Sequence, residues 1–127
     1  MKHISELIKY RLEKSWNTYG DAELLVKENR KGSALNRMYY SCFYAVLAAL
    51  LSIDKNAKTH KGVKSLFNEH FINTGIIPNE LGKFYGKIFN QRMEQDYDDY
   101  AEVENIDLQS YLEQTKNFLK AIELVLK

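Results

Sequence analysis

The residues best suited to chemistry lie in the stretch QRMEQDYDDY, at positions 91–100. Arg92 offers a flat guanidinium whose paired N–H donors match the oxygens of a phosphate. Asp96 follows four residues later, which is the spacing of an ion pair along one helix face. The stretch therefore allows two interpretations: a salt bridge at a solvated helix end, or an arginine presented to a phosphate-bearing ligand.

A second group of polar residues lies in the segment SALNRMYYSCFYAVLAALL. Arg37, Tyr40, Ser41 and Tyr44 are spaced so that they share one face of a helix. An arginine or a tyrosine hydroxyl that is buried beside apolar neighbours needs a hydrogen-bond partner. This face predicts either a polar network between helices or a site for a ligand or partner, and the spacing leaves both open.

The histidines and the cysteine do not indicate a metal site. His3, His60 and His70 have no second histidine or cysteine at the spacing of metal ligands. His60 is expected in the first turn of a helix, where a surface or capping role competes with a catalytic one. Glycine-rich phosphate loops and metalloprotease motifs are missing from the sequence, so no cofactor is predicted.

Charge is unevenly distributed along a chain whose formal net charge is only +1. Seven acidic residues and no lysine or arginine fall within positions 94–107. A basic cluster lies upstream: Lys55, Lys58, Lys61 and Lys64. Such a field can steer an anionic partner, although it is weaker than the basic stripe of a dedicated nucleic-acid-binding domain.

The chain length and its apolar segments predict one domain over residues 1–127. The most apolar stretch, at 42–53, is too short to cross a bilayer, and no signal peptide is recognisable. The single cysteine, Cys42, excludes an internal disulfide and fits a reducing compartment. We therefore expect a cytoplasmic protein without a membrane partner.

The hydrophobic periodicity is helical throughout, and it predicts five helices at about 4–29, 34–53, 60–73, 79–95 and 108–126. Ser33, Thr59 and Asp107 are the expected N-caps, and Gly75 is expected to close the third helix. Since most connections are short, the sequence predicts an all-α fold, a five-helix antiparallel up-and-down bundle.

Three segments together resemble the HEPN (higher eukaryotes and prokaryotes nucleotide-binding) domain family: NRMYYSCFYAVLAALL, KTHKGVKSLFNEHF and QRMEQDYDDYAE. The resemblance extends over about residues 3–125 and implies a small helical bundle that forms a homodimer. Many members of the family are ribonucleases whose motif is an arginine followed, after four to six residues, by a histidine. Others form toxin–antitoxin pairs with a minimal nucleotidyltransferase, which can modify a tyrosine near that histidine with AMP.

The motif is only half present in this sequence. Arg92 matches the arginine, but the histidine window holds Tyr97, Asp98 and Asp99, and no histidine follows His70. Proton transfer in RNA cleavage favours a group that titrates near neutrality, which a tyrosine or a carboxylate does only after a large pKa shift. His60 would supply the missing imidazole if the third helix lies beside the fourth.

The leading hypothesis is therefore binding of a nucleotide, an RNA phosphate or a partner nucleotidyltransferase, within a homodimeric, toxin–antitoxin-like HEPN protein. The binding cleft would be lined by two arginines, three tyrosines and a carboxylate: Arg92, Arg37, Tyr97, Tyr40, Tyr44 and Asp96. One alternative is a metal-independent ribonuclease in which Arg92 acts with Tyr97 or His60. The other is a purely structural antitoxin or interaction subunit, with 94–107 imitating the charge of a nucleic acid.

Overall fold

The computed structural model describes the backbone of residues 2–97 and 106–127, and the side chains of residues 6–92 and 106–127. Within those ranges every regular element is helical, which confirms the all-α prediction. The helices are α1 (Lys2–Lys27), α2 (Lys31–Ser52), α3 (His60–Phe67), α4 (Asn79–Tyr97) and α5 (Leu108–Leu126). A π-helical turn, Asn68–Ile72, continues α3.

Helix α2 is the central element because it is apolar on most sides, and it packs against each of the other four helices. The side chains of Met38, Cys42 and Val46 are fully buried, as is expected of a helix without a solvated face. Cys42 is therefore a small core residue. The Ser41 hydroxyl donates to the Ser15 carbonyl oxygen at 2.9 Å and ties α2 to α1.

Two of the three predicted helix caps are present. The Thr59 hydroxyl accepts a hydrogen bond from the Gly62 N–H at 2.9 Å, and α3 begins at His60. The Asp107 carboxylate accepts from the Ser110 N–H at 3.1 Å at the start of α5. Both contacts satisfy a backbone donor that the first turn of a helix leaves without an intrahelical partner.

The predicted start of α2 was wrong. The Ala34 N–H already bonds to the Arg30 carbonyl oxygen at 2.8 Å, so Ser33 lies within the first turn instead of capping it. The break between α1 and α2 is made by Asn29, whose φ of +56° is left-handed. Asparagine tolerates this conformation better than most residues, and the helices are thereby separated before Gly32 is reached.

Helix α4 lies close to α3 and the π-helical turn that continues it, which together we call the α3 segment. The approach is possible because α4 carries glycine on that face. A Cβ atom added at Gly82 would lie 3.0 Å from the Ile72 side chain, and one at Gly86 would lie 3.7 Å from Lys64 Cε. Both glycines therefore face residues of the same chain. This contact sets the first turn of α3 and the second half of α4 on the same side of α2. None of the helices in the described ranges contains an apolar stretch that could cross a membrane.

Candidate functional site

Arg92 in α4 meets the tyrosines of α2. Its Nη2 donates a hydrogen bond to the Tyr40 hydroxyl at 2.9 Å. The guanidinium carbon lies 5.2 Å from the centroid of the Tyr40 ring and 5.7 Å from that of Tyr39. Both distances are within the range of a cation–π interaction. Two groups that the sequence proposed separately, one on α2 and one on α4, therefore form one cluster.

His60 reaches the same cluster from α3. Its Nδ1 lies 2.7 Å from the Tyr39 hydroxyl. The imidazole stacks on the Phe43 ring with centroids 4.4 Å apart and planes inclined by 8°. The centroid of the Tyr40 ring is 5.8 Å from that of the imidazole, and the two ring planes are perpendicular. We refer to Tyr39, Tyr40, His60 and Arg92 as the Arg92 site.

Burial and charge set the protonation of the Arg92 site. Burial, and next the positive charge of Arg92, lower the pKa of His60 below its usual value. Burial also raises the pKa of Tyr39 to about 12. At neutral pH the imidazole is therefore neutral, the Tyr39 hydroxyl keeps its proton, and the guanidinium of Arg92 is charged. The site combines a fixed cation with neutral hydrogen-bonding groups.

The other predicted residues of α2 extend this face. The Arg37 guanidinium carbon lies 5.3 Å from the Tyr40 ring centroid, and its Nη2 donates to Asn36 Oδ1 at 3.0 Å. The Tyr44 ring lies 6.0 Å from that of Tyr40, and the Lys14 ammonium lies 4.6 Å from the Tyr44 centroid. A band of half-buried aromatic rings thus carries cations contributed by α1, α2 and α4.

Asp96 and Tyr97 belong to the last turn of α4, but their side chains lie outside the described ones. The ion pair expected between Arg92 and Asp96, and the roles expected of Tyr97 and of residues 98–105, stay predictions. Among the side chains that the structure describes, no cluster of three histidine, cysteine or acidic residues could hold a metal ion.

Sequence reasoning missed Tyr39 and Phe43. Both face α3, and they differ from the predicted pair Tyr40 and Tyr44 by one position along α2. Their spacing of four residues would have shown that they share a face. A histidine at the first residue of a capped helix was the second signal, because a cap fixes the direction in which that residue points.

Comparison with known proteins gives a consistent assignment. The sequence profile of the HEPN domain matches residues 8–125. A "UPF0332 protein" of Thermotoga maritima is 36% identical over the whole of this chain and 96% of its own length. The "Putative toxin MJ0142" of Methanocaldococcus jannaschii is 32% identical over 85% of this chain and 74% of its own length. The "Putative toxin MJ0605" of the same organism is 29% identical over 99% of this chain and 93% of its own length. The chain therefore belongs to the HEPN domain family.

Proposed function

We propose that this protein is the HEPN member of a toxin–antitoxin-like system and binds a nucleotide or an RNA phosphate at the Arg92 site. The observation that carries the proposal is the Arg92 guanidinium, held by the Tyr40 hydroxyl at 2.9 Å on a half-buried aromatic face. Two relatives whose names read "Putative toxin" support the class of system.

The geometry suits a phosphate because it orients the guanidinium before any ligand arrives. One of the five N–H donors of Arg92 is directed at Tyr40, which fixes the plane of the guanidinium group. A guanidinium group held in this way loses less side-chain entropy when it forms paired hydrogen bonds with phosphate oxygens. The cations of Arg37 and Lys14 on the neighbouring rings add to the positive potential that attracts the ligand.

The aromatic rings supply the second part of the proposed recognition. Nucleic-acid bases stack on aromatic side chains with little dependence on base identity, at about 1–3 kcal/mol per base. Tyr40 and Tyr44 are half-buried and lie side by side, so one edge of this face is accessible. The site therefore matches a ligand that carries both a phosphate and a base.

Calorimetry on single variants tests the proposal. AMP, ATP and a short single-stranded RNA are titrated into wild type, Arg92→Ala, Arg92→Lys and Arg30→Ala. Arg30 is an exposed arginine at the start of α2, so its replacement removes the same charge away from the site. Hydrogen bonds to charged groups contribute about 1.5–3 kcal/mol, so Arg92→Ala should weaken binding at least about tenfold. Arg30→Ala should change affinity less than about twofold, and Arg92→Ala binding as tightly as wild type would exclude Arg92 from the site.

A ribonuclease is the second candidate, and the position of His60 favours it. A neutral imidazole beside Arg92 can accept the proton of a 2′-hydroxyl while that oxygen bonds to phosphorus and the bond from phosphorus to the 5′-oxygen breaks. The departing 5′-oxygen takes its proton from water and leaves as a hydroxyl. The products would be a 2′,3′-cyclic phosphate and a 5′-hydroxyl end, with Arg92 stabilising charge on the phosphate. Wild type and His70→Ala should cleave labelled RNA, whereas His60→Ala and Arg92→Ala should not. RNA left intact by concentrated wild-type protein would refute this activity.

Partner binding is proposed on the family assignment alone. We expect a homodimer and a complex with a minimal nucleotidyltransferase, as the resemblance to HEPN toxin–antitoxin pairs implies. Light scattering of the purified chain measures the first, and co-purification from the native host measures the second. Recovery of a nucleotidyltransferase would favour the paired system over the purely structural interaction subunit, and recovery of no second protein would argue against both.

A further inference from the structure

We infer that Tyr39 is a positioning residue that holds His60 with its proton on Nε2, so that this N–H and the Arg92 guanidinium bind one phosphate together. The inference rests on the proposed binding of phosphate at Arg92. It adds a second donor to the site and names the group that orients this donor. Neither His60 nor Tyr39 follows Arg92 in the sequence, so no local motif records the arrangement.

The hydrogen bond between Tyr39 and His60 determines which imidazole nitrogen carries the proton. The Tyr39 side chain is 0% exposed, and its hydroxyl lies 2.7 Å from His60 Nδ1. A pKa of about 12 keeps the hydroxyl proton in place at neutral pH. If Nδ1 carried a proton and donated to this oxygen, the buried Tyr39 hydrogen would need another acceptor. Among the residues that the structure describes, His60 Nδ1 is the acceptor within hydrogen-bond distance of this hydroxyl, so Tyr39 donates to it.

Aromatic packing fixes the orientation of the His60 ring. Phe43 covers one face of the imidazole at 4.4 Å, and the Tyr39 and Tyr40 rings lie at 5.6 and 5.8 Å. Since Nδ1 is directed at a buried hydroxyl, Nε2 lies on the opposite edge of a ring that is only half-buried. Nε2 makes no hydrogen bond to any residue that the structure describes, which leaves this donor for a ligand.

The segment THKG, at 59–62, fixes the backbone beneath the imidazole. The Thr59 hydroxyl accepts from the Gly62 N–H at 2.9 Å and makes His60 the first residue of α3. A Cβ atom at Gly62 would lie 3.0 Å from both the Ala57 Cβ and the Thr59 Oγ1. Glycine at this position therefore allows the loop and the cap to close against the helix. The first turn of α3 is built so that His60 points at α2.

His60 and Arg92 approach the same two rings from different helices. The distances to the Tyr39 and Tyr40 centroids are 5.6 and 5.8 Å for the imidazole, and 5.7 and 5.2 Å for the guanidinium carbon. The positive charge of Arg92 also acts on the titration of His60. A phosphate has several acceptor oxygens, so one phosphate can accept from both groups at once.

Nitrogen NMR and AMP binding test the inference together. In wild type, His60 should show the Nε2–H tautomer, and Tyr39→Phe should give a mixture of the two tautomers because Nδ1 loses its donor. AMP affinity should fall about threefold to tenfold in Tyr39→Phe, and Tyr39→Phe with His60→Ala should bind no worse than His60→Ala alone. Tyr19→Phe removes the hydroxyl of a buried α1 tyrosine outside the site, and it should leave both readings unchanged.

The AMP affinities of two amide variants at His60 give a test that does not depend on whether Tyr39→Phe folds. The side-chain amide of glutamine places its N–H near Nε2, and that of asparagine places it near Nδ1. His60→Gln should therefore keep AMP affinity within about threefold of wild type, whereas His60→Asn should lose it as His60→Ala does. Equal affinities for His60→Gln and His60→Asn would contradict a role for Nε2–H.

The remaining outcomes separate this inference from the proposed function. Loss of AMP binding in Arg92→Ala, with the tautomer and affinity of Tyr39→Phe at their wild-type values, would overturn the role of Tyr39 and leave phosphate binding at Arg92 intact. Wild-type AMP affinity in Arg92→Ala would overturn the proposed function itself.

Discussion

The contact between Tyr40 and Arg92 joins α2 to α4, and it can be removed without altering the aromatic packing. Tyr40→Phe deletes the hydroxyl that accepts from Arg92 Nη2 at 2.9 Å and keeps the ring that lies 5.2 Å from the guanidinium. A hydrogen bond to a charged group contributes about 1.5–3 kcal/mol when it is well shielded from water. Because both side chains are only half-buried, we expect a loss of about 1 kcal/mol in the free energy of unfolding.

Urea denaturation of four proteins measures that loss: wild type, Tyr40→Phe, Arg92→Met and the double variant. If the hydroxyl and the guanidinium interact, Tyr40→Phe should cost about 1 kcal/mol in wild type and close to nothing beside Arg92→Met. Tyr44→Phe is the control, since the Tyr44 hydroxyl makes no hydrogen bond within the described ranges and its ring is equally half-buried. The same cost for Tyr40→Phe in both backgrounds would refute the contact.

Three further predictions concern the surroundings of the site. Thr59→Ala removes the cap of α3 and should lower the free energy of unfolding by about 1 kcal/mol in urea melts, with weaker AMP binding because His60 is no longer fixed. Gly75→Ala places a side chain at a φ of +80° and should cost about 1–2 kcal/mol in the same assay, without a change in AMP affinity. The pKa of His60 is lower in the folded protein, so the unfolded chain binds more protons than the folded one below about pH 6.5. The free energy of unfolding should therefore fall as the pH drops from 7 toward 5. His60→Gln should flatten this part of the pH profile, and an unchanged profile would contradict the lowered pKa of His60.

The helices, the core and two caps followed from the sequence because their causes are local. Apolar residues at helical spacing mark the buried face of each helix. A threonine or aspartate directly before such a stretch marks an N-cap, because its side chain can accept a hydrogen bond from a backbone N–H of the first turn. The start of α2 was missed because the sequence offered two breaks, Asn29 and Gly32, and glycine is the commoner one. Asn29 takes the left-handed position of a helix C-cap, in which the Arg30 N–H donates to the Leu25 carbonyl oxygen at 2.8 Å.

The composition of the Arg92 site was harder to predict, since its members lie far apart in the chain. Tyr40 and Arg92 are separated by 52 positions, and Tyr39 and His60 by 21. Spacing along α2 placed Tyr40 and Tyr44 on one face, but a helix that is apolar on most sides gives no sign of which face meets α3. That choice depends on the close approach of α4 to the α3 segment at Gly82, which is a property of the packed bundle.

His60 supplies the imidazole that the sequence motif lacks, and its position bears on whether the protein binds RNA or cleaves it. Sequence alone favoured binding, because no imidazole follows Arg92 at the motif spacing. The fold nevertheless sets the His60 imidazole and the Arg92 guanidinium against the same two tyrosine rings. A neutral imidazole is the group whose titration suits proton transfer near neutral pH. The two functions require different states of Nε2. In binding, Nε2 carries a proton and donates to a phosphate oxygen, as the Tyr39 contact favours. In cleavage, Nε2 is unprotonated and takes a proton from the 2′-hydroxyl. Because a nitrogen that carries a proton cannot accept another, cleavage requires the tautomer opposite to the one that Tyr39 holds. The Tyr39 contact therefore favours binding over cleavage.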